Sequence, residues 1–326
     1  MRAAVCRQFG PPESVSVEDS YPAPALAGGN SVRVRVVAAA VNFPDVLFIA
    51  NQYQMSVSVP FIPGSEFAGV VSEVGDDVRE FTAGERVMGT AMVGAFAEEI
   101  VVAPRSLSLI PDGVSAEAAA AFGVAHRTAY HALRTIAEVC AGERVVVLGA
   151  GGGVGLAAVQ LGAVLGLDVT AVASSDEKLA VAVSCGAARG INHKKADVRR
   201  TLRDAFPDGI DVVVDPVGGD LAEPALRSLR WAGRFVTIGY ASGAIPRIPL
   251  NLVMLKGCQV RGFQIRDLVA NVPEAVRRDE AELHELLAAG TVTPHIGASF
   301  TLSEAAAALR HVADGKAIGK VVISVG

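Results

Sequence analysis

Val145–Leu167 (VVVLGAGGGVGLAAVQLGAVLGL) runs from β-branched residues through a cluster of glycines into a small-residue helical pattern. That order suits the holding of a phosphate group. Glycines in such a turn let the backbone approach a pyrophosphate, and the unbonded N–H groups of the helix start face the anion. The strict Gly-x-Gly-x-x-Gly spacing is absent. Aligned on its closing glycine, the segment reads Ala150-x-Gly152-x-x-Gly155, with Gly149, Gly151 and Gly153 around it. Ala150, Gly152, Gly153, Val154 and Gly155 are therefore the candidate phosphate-side residues. The stretch is uncharged and long enough to span a bilayer, but its clustered glycines and Gln160 argue against a span. A tight turn with no ligand is the other reading of these residues taken alone.

The second strand beyond the turn narrows the chemistry. A site preferring NAD places Asp or Glu at the end of that strand, where it bonds the ribose 2′-OH. Here the strand Val169–Ala173 ends on Ser174 and Ser175, with Lys178 one turn on. Hydroxyls beside an ammonium suit a 2′-phosphate, so NADPH is expected. Ser174 also fits a capping box with Glu177, and Lys178 fits plain surface charge. Asp176 is the contrary sign, because its carboxylate would repel a phosphate. Further along, Val217-Gly218-Gly219 and Ile238-Gly239-Tyr240 stand at strand ends, where the backbone can approach ribose and nicotinamide.

The elements that must position these groups are legible in the patterning. The 326 residues are 51% hydrophobic and only 5% aromatic, which suits helices packed tightly on a parallel sheet and is long enough for two domains. Residues 1–110 read as short strands punctuated by turn signals such as Pro63-Gly64 and Pro111-Asp112-Gly113. From Ser115, an expected N-cap, a helical pattern runs to about residue 139. Strands and helices then alternate: strand 144–148, helix 153–165, strand 169–173, helix 176–184, and onward to a strand at 260–263. Such repeated units imply a doubly wound parallel sheet. Helices near 274–289 and 303–314 and a terminal strand at 320–325 complete the chain.

The net charge of −5 gives no basic footprint for nucleic acid. Cys6, Cys140, Cys185 and Cys258 are scattered, with no C-x-x-C pair, and the six histidines form no helical ligand pair. The first residues, MRAAVCRQFG, lack the apolar stretch of a signal peptide. A cytoplasmic, metal-free protein without membrane or nucleic-acid partners is expected.

With these residues in place, the chain resembles the medium-chain dehydrogenase/reductase superfamily, and within it the zinc-free quinone oxidoreductases of the zeta-crystallin type. The segments that carry the resemblance are AAAVNFPDVL, FIPGSEFAGVVSEVG, TAYHAL, VVLGAGGGVGLAAVQLG, DVVVDPVGGD, AGRFVTIGYASG and GKVVISV, in order along essentially the whole chain. It implies an α/β fold with a GroES-like β-rich catalytic domain from residues 1–122 and 265–326. A Rossmann NADPH-binding domain at 123–264 is inserted between them. It also implies a homodimer formed by edge pairing near Cys258–Ile265.

Zinc-dependent relatives bind their catalytic metal through Cys, His and Cys, with a Glu beside the His. This chain offers Asn42, Ser65 with Glu66, and Val124 at the matching positions, which are poor replacements. Without a Lewis acid, hydride transfer calls for an acceptor that is already electron-poor, a quinone or a carbon–carbon double bond conjugated to a carbonyl. By resemblance, Asn42, Tyr53 and Thr128 are active-site residues. His193 matches an adenine-side aromatic position, and Phe263 closes over the nicotinamide or packs in the core. Asp45 reads as a helix cap and Glu66 as structural. His126-Arg127 stand where close relatives carry Tyr-Gly. The His could serve as donor or acid, and the Arg could favour an anionic substrate or make a surface ion pair. The expected function is NADPH-dependent reduction of a quinone, enone or alkenal. An enoyl-thioester reductase and a low-turnover NADPH-binding structural or RNA-associated protein are the alternatives.

Overall fold

A computed structural model describes residues Met1–Gly326 and divides them into two compact units. One consists of Met1–Val124 with Thr293–Gly326, the other of Ala125–Val292.

The first unit is built on a seven-stranded sheet. The strand Val32–Val41 pairs antiparallel with Glu66–Val74, with Glu99–Val102 and with the terminal strand Lys320–Ser324. Lys320–Ser324 also pairs in parallel with Ile296–Thr301, so the chain end returns to close the sheet that its beginning opened. Phe67, Phe96 and Ile49 are fully buried in the core that this sheet covers. Val32–Val41 shows an alternating burial pattern in its first half and continuous burial in its second. That change leads the strand from a half-solvated edge into the interior, where it delivers Asn42.

The second unit carries six parallel strands in the order Arg189–Asn192, Asp168–Ala173, Arg144–Leu148, Ile210–Asp215, Leu229–Thr237, Gln259–Gly262. Val145–Leu148 and Val212–Val214 are wholly buried, because a sheet covered on both faces selects continuous apolar runs. The order runs outward from Arg144–Leu148 in one direction and then reverses. Right-handed crossovers therefore place helices on both faces and leave the strand ends beside the reversal open to a ligand.

Two expectations from sequence are corrected. The helical pattern from Ser115 is interrupted, giving helices Ala116–Ala120 and Gly123–His131 and a π-helical turn Ala132–Ile136. Gly123, which opens the second of these helices, lies against Thr90, whose Cγ2 would be 3.2 Å from a Cβ. The return to the first unit falls at Thr293 rather than at 265. The helix Pro273–Ala288 belongs to the second unit because its acids are held there. Buried Asp279 accepts a hydrogen bond from Thr135, Glu280 pairs with Arg127, and Glu282 accepts from Tyr130 at 2.7 Å. No helix is long and apolar enough to cross a membrane.

Candidate active site

In the first unit, Asn42 precedes the helix Phe43–Ile49 and its backbone N–H donates to Asp45 Oδ2 at 2.7 Å. The sequence reading of Asp45 as a cap holds. Gly64, at φ +98° with the Phe96 ring 2.4 Å from where a Cβ would sit, makes the bend that presents Ser65 and leads into the strand Glu66–Val74. Lys320 Nζ donates to Asn42 Oδ1 at 2.7 Å and to Glu66 Oε1. Asn42 Nδ2 donates to Glu66 Oε1 at 2.9 Å and, more weakly, to Ser65 Oγ at 3.3 Å. The Val124 N–H donates to the other Glu66 oxygen at 2.8 Å. Asn42, Asp45, Glu66 and Lys320 are buried, while Ser65 remains partly open.

Asn42 is fully occupied within this network. Both its amide hydrogens and its carbonyl oxygen are engaged, so it is a strut between Lys320, Glu66 and Ser65. Lys320 was not singled out from sequence; its only signal was a lysine at the start of an otherwise buried strand. The donor set also fails a test for zinc. Amide, hydroxyl, carboxylate and alkyl groups stand at the four positions, and the carboxylate is already bonded to an ammonium. No group of three or more His, Cys, Asp or Glu side chains is placed to hold a metal ion. Burial pushes the Asp45 carboxyl up to about 7, with the Glu66 charge adding to the rise; the Asn42 N–H, Ser65 and Lys320 pull it back.

Tyr53 is half-buried, its ring 4.5 Å from that of Phe48. In the second unit, His126 is buried in the helix Gly123–His131, with Nε2 3.2 Å from Gln160 Oε1. A ring tied to Gln160 and shielded from water braces two helices. Arg127 makes the ion-pair choice with Glu280, and that pairing, together with His131, holds the Glu280 carboxyl low against the opposing effect of burial. Thr128 remains half-buried on the same helix.

At the glycine turn, Gly149 has φ +60°, and a Cβ on Gly155 would lie 2.1 Å from the Gly149 carbonyl oxygen. The helix Gly153–Val164 thus begins pressed against the strand end, with Gly152 as its N-cap. Lys178 runs along this turn, its side chain about 2.6 Å from where a Gly151 Cβ would sit. The cap of the helix Asp176–Ser184 is Ser175, not Ser174, and its hydroxyl accepts from the Lys178 N–H at 3.3 Å. Asp176 is neutralised where it stands. Lys195 Nζ donates to it at 2.5 Å and Asn192 Nδ2 at 2.7 Å, and this holds its carboxyl below the usual range. Burial and the nearby Lys194 and Lys178 charges lower the His193 pKa. The strand end accordingly carries Lys178, Lys194 and Lys195 with its acid turned aside, an arrangement that suits an added phosphate.

At the ends of the next two strands, Gly218 at φ +67° packs beneath Tyr240, whose Cδ1 would be 2.8 Å from a Gly218 Cβ. Asp215 fixes this turn; its Oδ1 accepts from the N–H groups of Val217 and Gly218, both at 2.8 Å. Sequence reasoning missed Asp215, although an acid ending an apolar strand before Val217-Gly218-Gly219 was its signal. The Ile238 N–H bonds the Asp215 carbonyl, which brings Ile238-Gly239-Tyr240 alongside. Phe263 follows the outermost strand and is half-buried. A cavity of about 540 Å³ lies beyond Gly219, lined by Arg199, Asp220, Glu223, Arg247 and neighbours. It includes none of the glycine-turn or Ser174–Lys178 residues, so the strand ends are the better candidate for a dinucleotide.

A β-rich unit closed by the chain terminus, joined to a six-stranded parallel unit with this turn, defines a medium-chain dehydrogenase/reductase. Residues 28–112 match the alcohol dehydrogenase GroES-like domain and residues 153–283 the family described as zinc-binding dehydrogenase. The chain is 37% identical over 326 residues to quinone oxidoreductase-like protein 2 of Bos taurus, covering 99% of this chain and 92% of that protein. Among solved structures, the Escherichia coli quinone oxidoreductase complexed with NADPH superposes with a TM-score of 0.92 at 27% identity, over all of both chains. The Thermus thermophilus quinone oxidoreductase, also solved with NADPH, gives 0.86 at 34% over the same coverage. The chain belongs to the quinone oxidoreductase-like family of medium-chain dehydrogenases/reductases and is an oxidoreductase.

Proposed function

We propose that this oxidoreductase uses NADPH to reduce a quinone, enone or alkenal without a metal ion. The observation that carries the reading is the Lys320 ammonium bonded to Glu66 and Asn42, which takes up the negative charge a Lewis acid would need. An acceptor that needs no metal polarisation then fits best. The E. coli and Thermus relatives solved with NADPH support the same cofactor here, as does the lysine cluster around Ser174. The backbone of Ala150–Gly155 would hold the pyrophosphate, and Ser174, Ser175 and Lys178 the 2′-phosphate. His193 would flank the adenine, and Val217, Gly218, Ile238, Gly239, Tyr240 and Phe263 the ribose and nicotinamide. When bound, the cofactor supplies a hydride to the acceptor. Tyr53 would orient the acceptor, and Thr128, with the rest of residues 125–292, would serve the cofactor.

The same reading places the protein in the cytoplasm, where its four unpaired cysteines stay reduced. It also makes it a homodimer through the strand Gln259–Gly262. Trp231, Leu250, Met254 and Leu255 on and near that edge are 73%, 81%, 74% and 67% exposed, an apolar surface suited to a second copy. The test is NADPH oxidation with ortho- and para-quinones, alkenals and enoyl thioesters, with NADH and a zinc chelator as controls. Turnover with quinones or alkenals that survives chelation is expected. Faster turnover with NADH, or loss of activity on chelation, overturns it; activity on enoyl thioesters alone favours that alternative.

A further inference from the structure

We propose that Lys195 is a specificity-determining residue for the cofactor and that it acts through Asp176. By holding that carboxylate, it allows a 2′-phosphate to settle at the end of the strand Asp168–Ala173. The inference rests on the NADPH reading above and names a positioning residue on which that preference depends.

Asp176 stands where a carboxylate is most costly to NADPH. It is the first residue of the helix Asp176–Ser184, directly after Ser174 and the capping Ser175. An unheld carboxylate there would repel a phosphate and would accept hydrogen bonds from an unphosphorylated ribose, as sites for NAD do. Both of its oxygens are taken instead. Oδ2 accepts from Lys195 Nζ at 2.5 Å and Oδ1 from Asn192 Nδ2 at 2.7 Å, which keeps the carboxyl below its usual range.

The sheet itself builds this grip. Asn192 ends the strand Arg189–Asn192 opposite Ala173 in the parallel register, and the His193 N–H bonds the Ala173 carbonyl at 3.1 Å. The Lys195 N–H then turns back onto the Asn192 carbonyl at 2.9 Å, and Asn192 Oδ1 accepts the Lys194 N–H at 3.1 Å. One short turn therefore presents both donors to the same carboxylate.

The surrounding charges make the balance depend on this ammonium. Lys178 is partly buried; burial and the Lys194 charge lower its pKa, and Glu177 opposes them. Burial and the same two lysines lower the His193 pKa, so its ring is neutral near neutral pH. Without Lys195, the carboxylates of Asp176 and Glu177 offset Lys178 and Lys194, and a phosphate meets no surplus of positive charge. With Lys195 in place Asp176 is neutralised, and the surplus favours the phosphate.

The experiment titrates NADPH, NADH, adenosine 2′,5′-bisphosphate and AMP onto wild type, Lys195→Ala, Lys195→Arg, Asp176→Asn and the double variant. Calorimetry at low salt is used, where exposed charges are least screened. The Lys195 and Asp176 side chains are 67% and 65% exposed, so the variants should fold and melt as wild type does. Lys195→Ala is expected to weaken NADPH and the bisphosphate by about three- to tenfold and to leave NADH and AMP little changed. Lys195→Arg should keep the preference. In the Asp176→Asn background, Lys195→Ala should have no further effect, because no carboxylate is left to hold. Equal weakening of both cofactors, no weakening of NADPH, or the same loss repeated in the Asp176→Asn background overturns the inference alone. A wild type that binds NADH and AMP as tightly as NADPH and the bisphosphate overturns the NADPH reading, and this inference with it.

Discussion

The cluster around Ser65 and the turn around Gly155 are both places where charge can be met, and they are built in opposite ways. At Ser65, side chains far apart in sequence converge: Asn42 and Lys320 are separated by 278 residues, Glu66 and Lys320 by 254. Their charges satisfy one another, and only Ser65 beside them is partly open. At Gly155, consecutive small residues let a ligand approach the backbone at a helix start, and Lys178 comes alongside from the next βα unit. The first region is a closed set of side chains with one opening. The second is a backbone turn lined by small residues. Substitutions should therefore fail for different reasons in the two places.

The largest effect is expected from Lys320→Met, which leaves Glu66 buried without its cation. A loss of about 3–5 kcal/mol in urea unfolding is predicted, and a loss below about 1 kcal/mol would mean the pair behaves as a surface one. Gly155→Ala comes next. Its new methyl meets backbone 2.1 Å away, so about 1–3 kcal/mol of stability and most NADPH affinity should go. Gly152→Ala, whose nearest neighbour would be 3.6 Å off, should keep its melting temperature. That pair separates close packing from phosphate approach.

Lys178→Ala should weaken NADPH by about tenfold, or 1.4 kcal/mol, and leave NADH unchanged in fluorescence titration; equal weakening of both would break the 2′-phosphate assignment. The Asp45 carboxyl gives a pH effect of defined sign. Because its folded value is raised, the native state keeps a proton that the unfolded chain has lost between 3.8 and about 7. Stability from this group therefore declines as pH climbs through that window, and Asp45→Asn should flatten the decline. Smallest of all, Arg127→Ala should cost about 0.5 kcal/mol and leave acceptor preference unaltered, since Arg127 is held by Glu280.

Legibility followed the same division. The glycine turn, the strand endings at Ser174, Val217 and Ile238 and the helix Asp176–Ser184 were readable because local spacing dictates them. The neutralisation of Asp176 by Lys195 was not, since it joins the ends of two neighbouring strands. Nor were the partners of Asn42 and His126, because Lys320, Glu66 and Gln160 reach them from distant elements. The break between the two units was misplaced at 265 because the helix Pro273–Ala288 carries no composition change to mark it. Its allegiance lies in Asp279, Glu280 and Glu282 meeting partners about 150 residues away.

By itself, then, the sequence determined the class of fold, the family and the place of the phosphate turn. Periodicity and glycine spacing act over a few residues and survive being read along a line. Only the tertiary structure decided which polar groups remain available. That depends on which distant side chain reaches each buried donor or acceptor first, and on the cost of leaving any of them without a partner.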